Sequence, residues 1–551
     1  MIDILKSNKI IIVFILILIL VTKIIESISI ISFAPILDFY INGENLNNQQ
    51  SFLDVQFIYK FLFSEITLFK LILFTSLLFL IKSSFAFISK VSVIFFSYNI
   101  SRILMNKLYS KLTNTDWLIF NKISTEKISN TINTEIEKFA LLIEDYFEFI
   151  INTISIILFV VICFFLSYQL TLISFFLFLT FFIPNFFIEN IIKQKSDNVL
   201  ESKNAIFAIL NETFSFFKNI QIFFLQTKFN TYFFNKTNDW YQNIKSLGLL
   251  KSLSNLYIEP SVILILGIIL FLSREVYFIQ VSQLFIFLFL FKKIADSFRN
   301  LINIRNSIKA YSPSIKQFNH INLSLKKFKN GTNIFKKLHS DIIFKNTYFA
   351  YDKKNILDNL SFNIKKNYIN ILVAPSGFGK TTIINLLLGL ITLKKGSILI
   401  NNLDIKNYDL KMWRSCISIV SQDLSFSSTS IFDFAKLLNP SITKSKLFSQ
   451  LKLFKLNSKK FINLGRHNVP LSGGEQQRLR IAISLTNNPN ILIFDEPTSS
   501  LDKDNKDIVI QEIIKSSINR TSIIVTHDSY LKDSLSNLSN ACIINFNEKK
   551  I

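Results

Sequence analysis

The chain has 551 residues, half of them hydrophobic, with 59 phenylalanines and only 11 glycines, and a mean hydropathy of +0.38. That length exceeds one ordinary domain, and that composition excludes a purely soluble enzyme in favour of a chain with membrane-spanning helices. The formal charge of +23 divides as +12 and +11 on either side of residue 339, so it is a bias spread along the chain, and no nucleic-acid partner is expected.

Six apolar stretches are each long enough, at about 20 residues, to cross a bilayer. They centre in 10–32, 66–88, 148–167, 169–189, 256–272 and 276–291. The first is followed by FAPILDFY and not by a small-residue cleavage site, so a retained helix is expected and not a signal peptide. The third and fourth are separated only by a polar tip near Ser167–Gln169 and form a hairpin.

Charge in the loops sets the orientation. Arg102, Lys107, Lys111, Lys122, Lys127 and Lys138 lie between the second and third spans, and a similar lysine series between the fourth and fifth. The loop 38–60 instead carries Asp38, Glu44 and Asp54 against Lys60. Positive charge inside places both long loops and both termini in the cytoplasm. Those loops have Leu, Ile and Phe at helical spacing and almost no Gly or Pro, which predicts that the helices continue beyond the bilayer. Short turns are expected around 114–121 and 211–218.

From 312 to 340 the chain turns polar and lysine-rich, which reads as a linker. From 341 short β runs alternate with helices, predicting a parallel α/β domain. Cys163, Cys416 and Cys542 are far apart and form no CxxC, so neither a disulfide framework nor a zinc site is expected.

The stretch ILVAPSGFGKTT (371–382) looks like a strand entering a phosphate loop, with Gly379, Lys380 and Thr381 in place but Ala374 where the pattern wants glycine. Backbone amides from Gly377 to Thr382 can wrap phosphates at a helix N-terminus, Lys380 supplies a point charge, and Thr381 a hydroxyl for Mg²⁺. Scarcity makes each glycine informative: Gly473 and Gly474 fall in LSGGE (471–475). PNILIFDEPTSSLD (489–502) is an apolar strand ending in Asp495 and Glu496, as a Mg²⁺-dependent phosphate site requires. TSIIVTHD (521–528) is another, ending in His527. Taken singly, these are a helix cap, a strand end and a core histidine. Their order and spacing argue for one site.

That order, with Gln422 in IVSQD and the SSLD loop ending at Asp502, resembles an ATP-binding cassette over 341–551. Six spans ahead of it resemble the exporter type of ABC half-transporter. The implied fold is multidomain: an all-α six-helix transmembrane domain (1–311), a linker (312–340) and an α/β P-loop NTPase domain (341–551). The resemblance implies that Tyr351 stacks on adenine. Ser376, Gly377, Gly379, Lys380, Thr381 and Thr382 would hold phosphates. Thr381, Gln422 and Asp495 would form the Mg²⁺ and water shell, Glu496 would be the general base and His527 the γ-phosphate contact. Ser472, Gly473, Gly474 and Asp502 would belong to ATP contacts, the first three reaching the nucleotide of an opposite cassette. ATP and Mg²⁺ are the implied cofactors. One cassette per chain implies a dimer, most simply with a second copy, in the plasma (inner) membrane. LGRHNVP (464–470) departs from the family pattern, with Arg466 where an acid is usual.

Fusion with the membrane part first argues, by resemblance, for export or outward flipping. Intramembrane charge is the clue to cargo. Lys23 and Glu26 are spaced to pair, and Lys82, Lys292 and Lys293 either snorkel to the membrane edge or line a basic cavity for an anionic headgroup. KIIESISIISFAPIL and YIEP are similar to flippases of lipid-linked oligosaccharides. A peptide or drug exporter is the alternative, and a non-transporting ATP-gated regulator a third reading.

Overall fold

The computed structural model describes residues 8–42, 67–180, 183–256, 258–276, 281–328, 330–351, 354–375, 377–420, 430–456, 472–487, 489–499 and 501–546. Residues up to Lys326, apart from Asp116–Leu118, form a helical unit; Asp116–Leu118 and the residues from Lys327 onward form a second.

In the helical unit the long elements are α1 (Lys9–Ile31), α2 (Leu68–Thr113), α3 (Glu137–Leu166), α4 (Tyr168–Thr180), α5 (Ile183–Ile222), α6 (Gln226–Leu256), α7 (Ile258–Glu275) and α8 (Val281–Ser324). Among the described residues, three helical stretches are long and apolar enough to cross a membrane: Lys9–Leu37, Leu68–Thr113 and Thr125–Leu166. The other expected spans lie on α4 and the start of α5, on α7, and on the start of α8. At about 1.5 Å per residue, the 46 residues of α2 reach about 70 Å. The hydrocarbon core takes about 30 Å, so much of this helix lies outside it, as the periodicity of 89–113 predicted.

Two apolar clusters hold the helices. Ile15, Ile19, Phe96, Ile100, Phe139, Ile143 and Phe318 join α1, α2, α3 and α8. Ile30, Phe159, Leu170, Ile265, Phe287 and Leu290 join α1, α3, α4, α7 and α8. Between them in sequence, a π turn at Thr131–Glu135 precedes α3 and turns Glu135, which has no exposed surface, inward. Its carboxylate accepts from Lys138 Nζ at 2.6 Å and Ser314 Oγ at 2.5 Å, with Lys203 Nζ 3.6 Å away. Residues of the π turn, α3, α5 and α8 are thereby tied to one carboxylate.

The expected turn near 114–121 is present, as a reversal after Thr113 and a short helix at Trp117–Phe120. The one expected at 211–218 is not. Thr213 and Ser215 turn their hydroxyls back to the carbonyls of Ile209 and Asn211 within an unbroken α5, and the chain reverses at Phe223–Leu225, where Phe224 takes φ 51°. Without a glycine or proline there, nothing in the sequence marks it. Helix α8 likewise runs through Ser324, into the segment read as linker. From Gly331 that segment is already bonded to the second unit: Asn333 donates its amide to Asn407 O (3.0 Å), and Phe335 is buried edge-on against Trp413.

The second unit contains β1 (Ile342–Tyr351), β2 (Lys354–Ile364), β3 (Ile369–Val373), β4 (Lys395–Ile400), β5 (Leu403–Asp404), β6 (Ile417–Val420), β7 (Ile491–Asp495), β8 (Thr521–Val525) and β9 (Ala541–Asn545). The order β6-β7-β8-β3-β9 makes a five-stranded sheet whose neighbours all pair parallel, and β2-β1-β4-β5 an antiparallel one. The second sheet was not foreseen. Strands β3, β7 and β8 are apolar almost throughout because both faces of a parallel sheet are covered. The helices that matter for the site are α9 (Lys380–Leu387), α10 (Gly473–Ser484) and α11 (Lys503–Ser517).

Candidate nucleotide site

Parallel pairing puts the carboxyl ends of β3, β7 and β8 on one edge of the sheet, where open α/β sheets place their ligands. Three of the expected site residues leave from that edge. Lys380 starts α9 after the β3 loop, Glu496 follows β7, and His527 follows β8.

The loop after β3 answers the question of its missing glycine. Ala374 is not among the described residues with positive φ. It is 3% exposed, and its methyl belongs to the cluster containing Leu372, Phe378 and Phe546. An alanine therefore fits without strain. Gly377 (φ 81°) and Gly379 (φ 97°) are the residues the turn needs. At Gly379 a Cβ would also stand 2.5 Å from Ile356 Cγ2. Phe378 stacks on Phe546 at 5.0 Å and anchors the loop from below.

Helix α9 begins at Lys380 with Gly379 as its left-handed cap. The amides of its first turn have no intrahelical acceptor, so the helix presents donors and a partial positive charge toward an anion. Thr381 is exposed there and Thr382 buried.

The charged side chains meet. Lys380 Nζ donates to Ala374 O at 3.2 Å, touches both ring nitrogens of His527, and lies 3.9 Å from Glu496 Oε1. His527 Nε2 is 3.3 Å from the same oxygen. Burial lowers the Lys380 pKa from the ordinary lysine value, while Glu496 and Asp495 push it back up. The cation is thus held by carboxylates that a phosphate group can replace.

Glu496 is held by its backbone in a left-handed conformation, φ 51°. Its N–H donates to Val525 O at 2.9 Å, and its carbonyl accepts from Gln477 Nε2 at 2.7 Å. Gln477, 8% exposed, sits on the helix that LSGGE opens. Sequence reading missed this residue. Its only signal was its place two residues past the motif, and the bond depends on how α10 packs. Asp495 ends β7 opposite Val525.

Not every expected residue joins this cluster. Tyr351 closes β1, 38% exposed and edge-on to Phe349. Ser472 caps α10 in a reciprocal box: its hydroxyl accepts from the Glu475 amide at 3.2 Å, and the Glu475 carboxylate accepts from the Ser472 amide at 3.0 Å. Gly473 and Gly474 form the first turn of that helix. Asp502 precedes α11 and accepts from Asn505. Among the described residues, Ser472, Gly473, Gly474 and Asp502 make no bond to Lys380, Glu496 or His527. Gln422, Ser376 and the segment 464–470 lie outside the described residues.

In the helical unit, Lys23 Nζ donates to Glu26 Oε2 at 2.8 Å, and Lys82 Nζ lies 3.2 Å from Glu26 Oε1. Lys293 Nζ stands 3.9 Å from that oxygen and 5.9 Å from the Phe289 ring centre. Three lysines thus gather on one carboxylate that is 6% exposed. Lys292 is exposed and outside this group.

A phosphate loop at a parallel sheet edge, with an acid and a histidine beside its lysine, defines a P-loop ATPase, here fused to apolar membrane helices. The ABC transporter transmembrane region family matches residues 12–295 and the ABC transporter family residues 357–499. The chain belongs to the ABC transporters, in the half-transporter exporter arrangement, and its ATPase is coupled to transport. The heterocyst differentiation ATP-binding protein HepA of Nostoc sp. is 25% identical over 446 residues, which are 78% of this chain and 72% of that protein. The alpha-hemolysin translocation ATP-binding protein HlyB of Escherichia coli O157:H7 is 32% identical over 49% of this chain, which spans 40% of that protein. The multidrug resistance protein pgp-1 of Caenorhabditis elegans is 34% identical over 35% of this chain and 15% of its own length. The solved structure of a bacterial Atm1-family ABC exporter with ATP bound has the same fold, with a TM-score of 0.79 at 16% identity over 98% of this chain and 94% of that one.

Proposed function

We propose that two copies of this chain form an exporter that moves a lipid, a lipid-linked glycan or another amphipathic cargo outward. It spans the plasma (inner) membrane, with the cassettes and both termini in the cytoplasm. The observation that carries the ATPase part is the meeting of Lys380, Glu496 and His527 at the carboxyl edge of the parallel sheet.

In this reading, Lys380 leaves Glu496 for the β and γ phosphates, joined by the first amides of α9. That frees the Glu496 carboxylate to accept the proton of the attacking water. His527 contacts the γ-phosphate, Tyr351 stacks on adenine, and Ser472, Gly473 and Gly474 of the partner cassette close over the nucleotide. Among the described residues, no three His, Cys, Asp or Glu side chains gather as a metal cage. Mg²⁺ needs none, since one or two protein oxygens and the phosphates suffice. Thr381 and Asp495 would hold it, with Gln422 expected to join them, and the ion would neutralise phosphate charge when bound.

The lysines around Glu26 support an anionic or polar headgroup. Similarity to HlyB and pgp-1 favours the second reading, a peptide or drug exporter. A non-transporting regulator is the least supported, because such a protein has no need to keep Glu496 and His527. The test is transport by the full chain in proteoliposomes, offering a fluorescent lipid-linked glycan, a peptide and a cationic drug in parallel. ATP-dependent movement of the lipid alone is expected. Movement of the peptide or drug alone would overturn the cargo assignment, and no movement of any would favour the regulator.

A further inference from the structure

Helices α1, α2 and α3 line a half-open cavity of about 210 Å³ that ATP chemistry leaves unused. Its polar lining is Thr22 and Lys23 from α1, Lys82, Ser89 and Lys90 from α2, and Glu144 and Glu148 from α3. The Thr22 hydroxyl is already spent on Leu18 O at 2.7 Å, and the rest of the lining is apolar, with Ile19 and Phe147 among it. On α2 the lining residues recur at spacings of three and four, as do those on α3, so one face of each helix meets the cavity. The cations come from α1 and α2, and the carboxylates from α3.

Ser89 marks the cavity as built to receive a polar group. It is 4% exposed, and its hydroxyl has no hydrogen-bond partner. Other serines on the same helix satisfy themselves: Ser83, Ser84 and Ser92 each donate to the carbonyl four residues back. A buried hydroxyl without a partner is destabilising, and a ligand oxygen would recover that loss. Lys23 and Lys82 each spend one donor on Glu26 and keep others for the cavity, since an ammonium has three. Lys90 and Glu148 are exposed and have no ion pair among the described residues. Glu144 accepts from Ser97 Oγ at 2.8 Å, with its second oxygen left over.

We propose that this cavity binds the cargo headgroup, and that the headgroup carries a phosphate ester beside a primary ammonium. The phosphate oxygens take Lys23, Lys82, Lys90 and the Ser89 hydroxyl, and the ammonium donates to Glu144 and Glu148. Opposite charges on facing helices disfavour a plain anion, which would meet two carboxylates, and a quaternary ammonium, which has no hydrogen to donate. This rests on the exporter reading and names its substrate class.

The test uses the full chain in phosphatidylcholine vesicles and reads ATP hydrolysis as other headgroups are added. Phosphatidylethanolamine should stimulate, whereas phosphatidylglycerol should not. Soluble phosphoethanolamine separates the sources: stimulation by it as well would support a water-soluble cargo of the same chemistry. Glu148→Gln and Lys90→Gln, at unpaired exposed positions that leave the Glu26 pairs intact, should each raise the half-stimulating concentration tenfold or more. Lys107→Gln, elsewhere on α2, should not. Elution as wild type from a sizing column checks that the variants are folded. Equal stimulation by phosphatidylglycerol, or unshifted Glu148→Gln and Lys90→Gln, would overturn the site while hydrolysis itself persists. Loss of all ATP-dependent transport in the wild type would instead sink the exporter reading.

Discussion

Ala374 shows how a departure from a motif is judged at a single residue. Its φ is not left-handed, and its methyl is packed, so Ala374→Gly removes contacts and relieves nothing. ATP affinity should change less than tenfold, within about 1.4 kcal/mol, and the cassette should lose about 0.5–1 kcal/mol from added chain freedom. Lys380→Ala should abolish tight binding by either measure. Nucleotide titration of both variants decides this; a large gain from the glycine would mean that the native loop is impaired. Gly377, Gly379, Lys380, Glu496 and His527 were legible from sequence because glycine and histidine are scarce in this chain and strands end at fixed offsets. Gln477 and the approach of Lys82 and Lys293 to Glu26 were not. Each depends on a neighbour distant in sequence, and no local pattern encodes such a meeting.

Helices and strands were read well where one period dominates. The apolar runs at 371–373, 491–494 and 522–525 became β3, β7 and β8, and the mixed polar periodicity beyond the spans became continuous helix. Reading failed where structure is set by tertiary bonds: the reversal at Phe224, the helix through Ser324, and the antiparallel sheet that β1, β2, β4 and β5 form. The Glu135 junction is of this kind. Glu135→Leu would leave Lys138, Lys203 and Ser314 facing an apolar group. Full burial would cost about 3–5 kcal/mol, but both lysines are over a quarter exposed and can turn to water, so about 1–3 kcal/mol is expected. Thermal unfolding of the solubilised chain should show a lowered midpoint, partly restored when Lys138 and Lys203 are also made apolar. An unchanged midpoint would mean that the cluster contributes nothing to holding α3, α5 and α8.

For the whole molecule, composition separated membrane from soluble parts, and the order of motifs supplied the family before any distance was known. The meeting of Lys23, Lys82 and Lys293 at Glu26 needed the structure, because charges on α1, α2 and α8 converge there only after folding. The central claim is that Glu496, freed from Lys380, is the base that drives hydrolysis. Glu496→Gln keeps the shape of the side chain and removes its basicity. Its ATP turnover, measured beside its ATP binding in the full-length protein, is therefore the most direct test. Binding should match the wild type while turnover falls by about a hundredfold or more. Hydrolysis by Glu496→Gln at the wild-type rate would contradict the account.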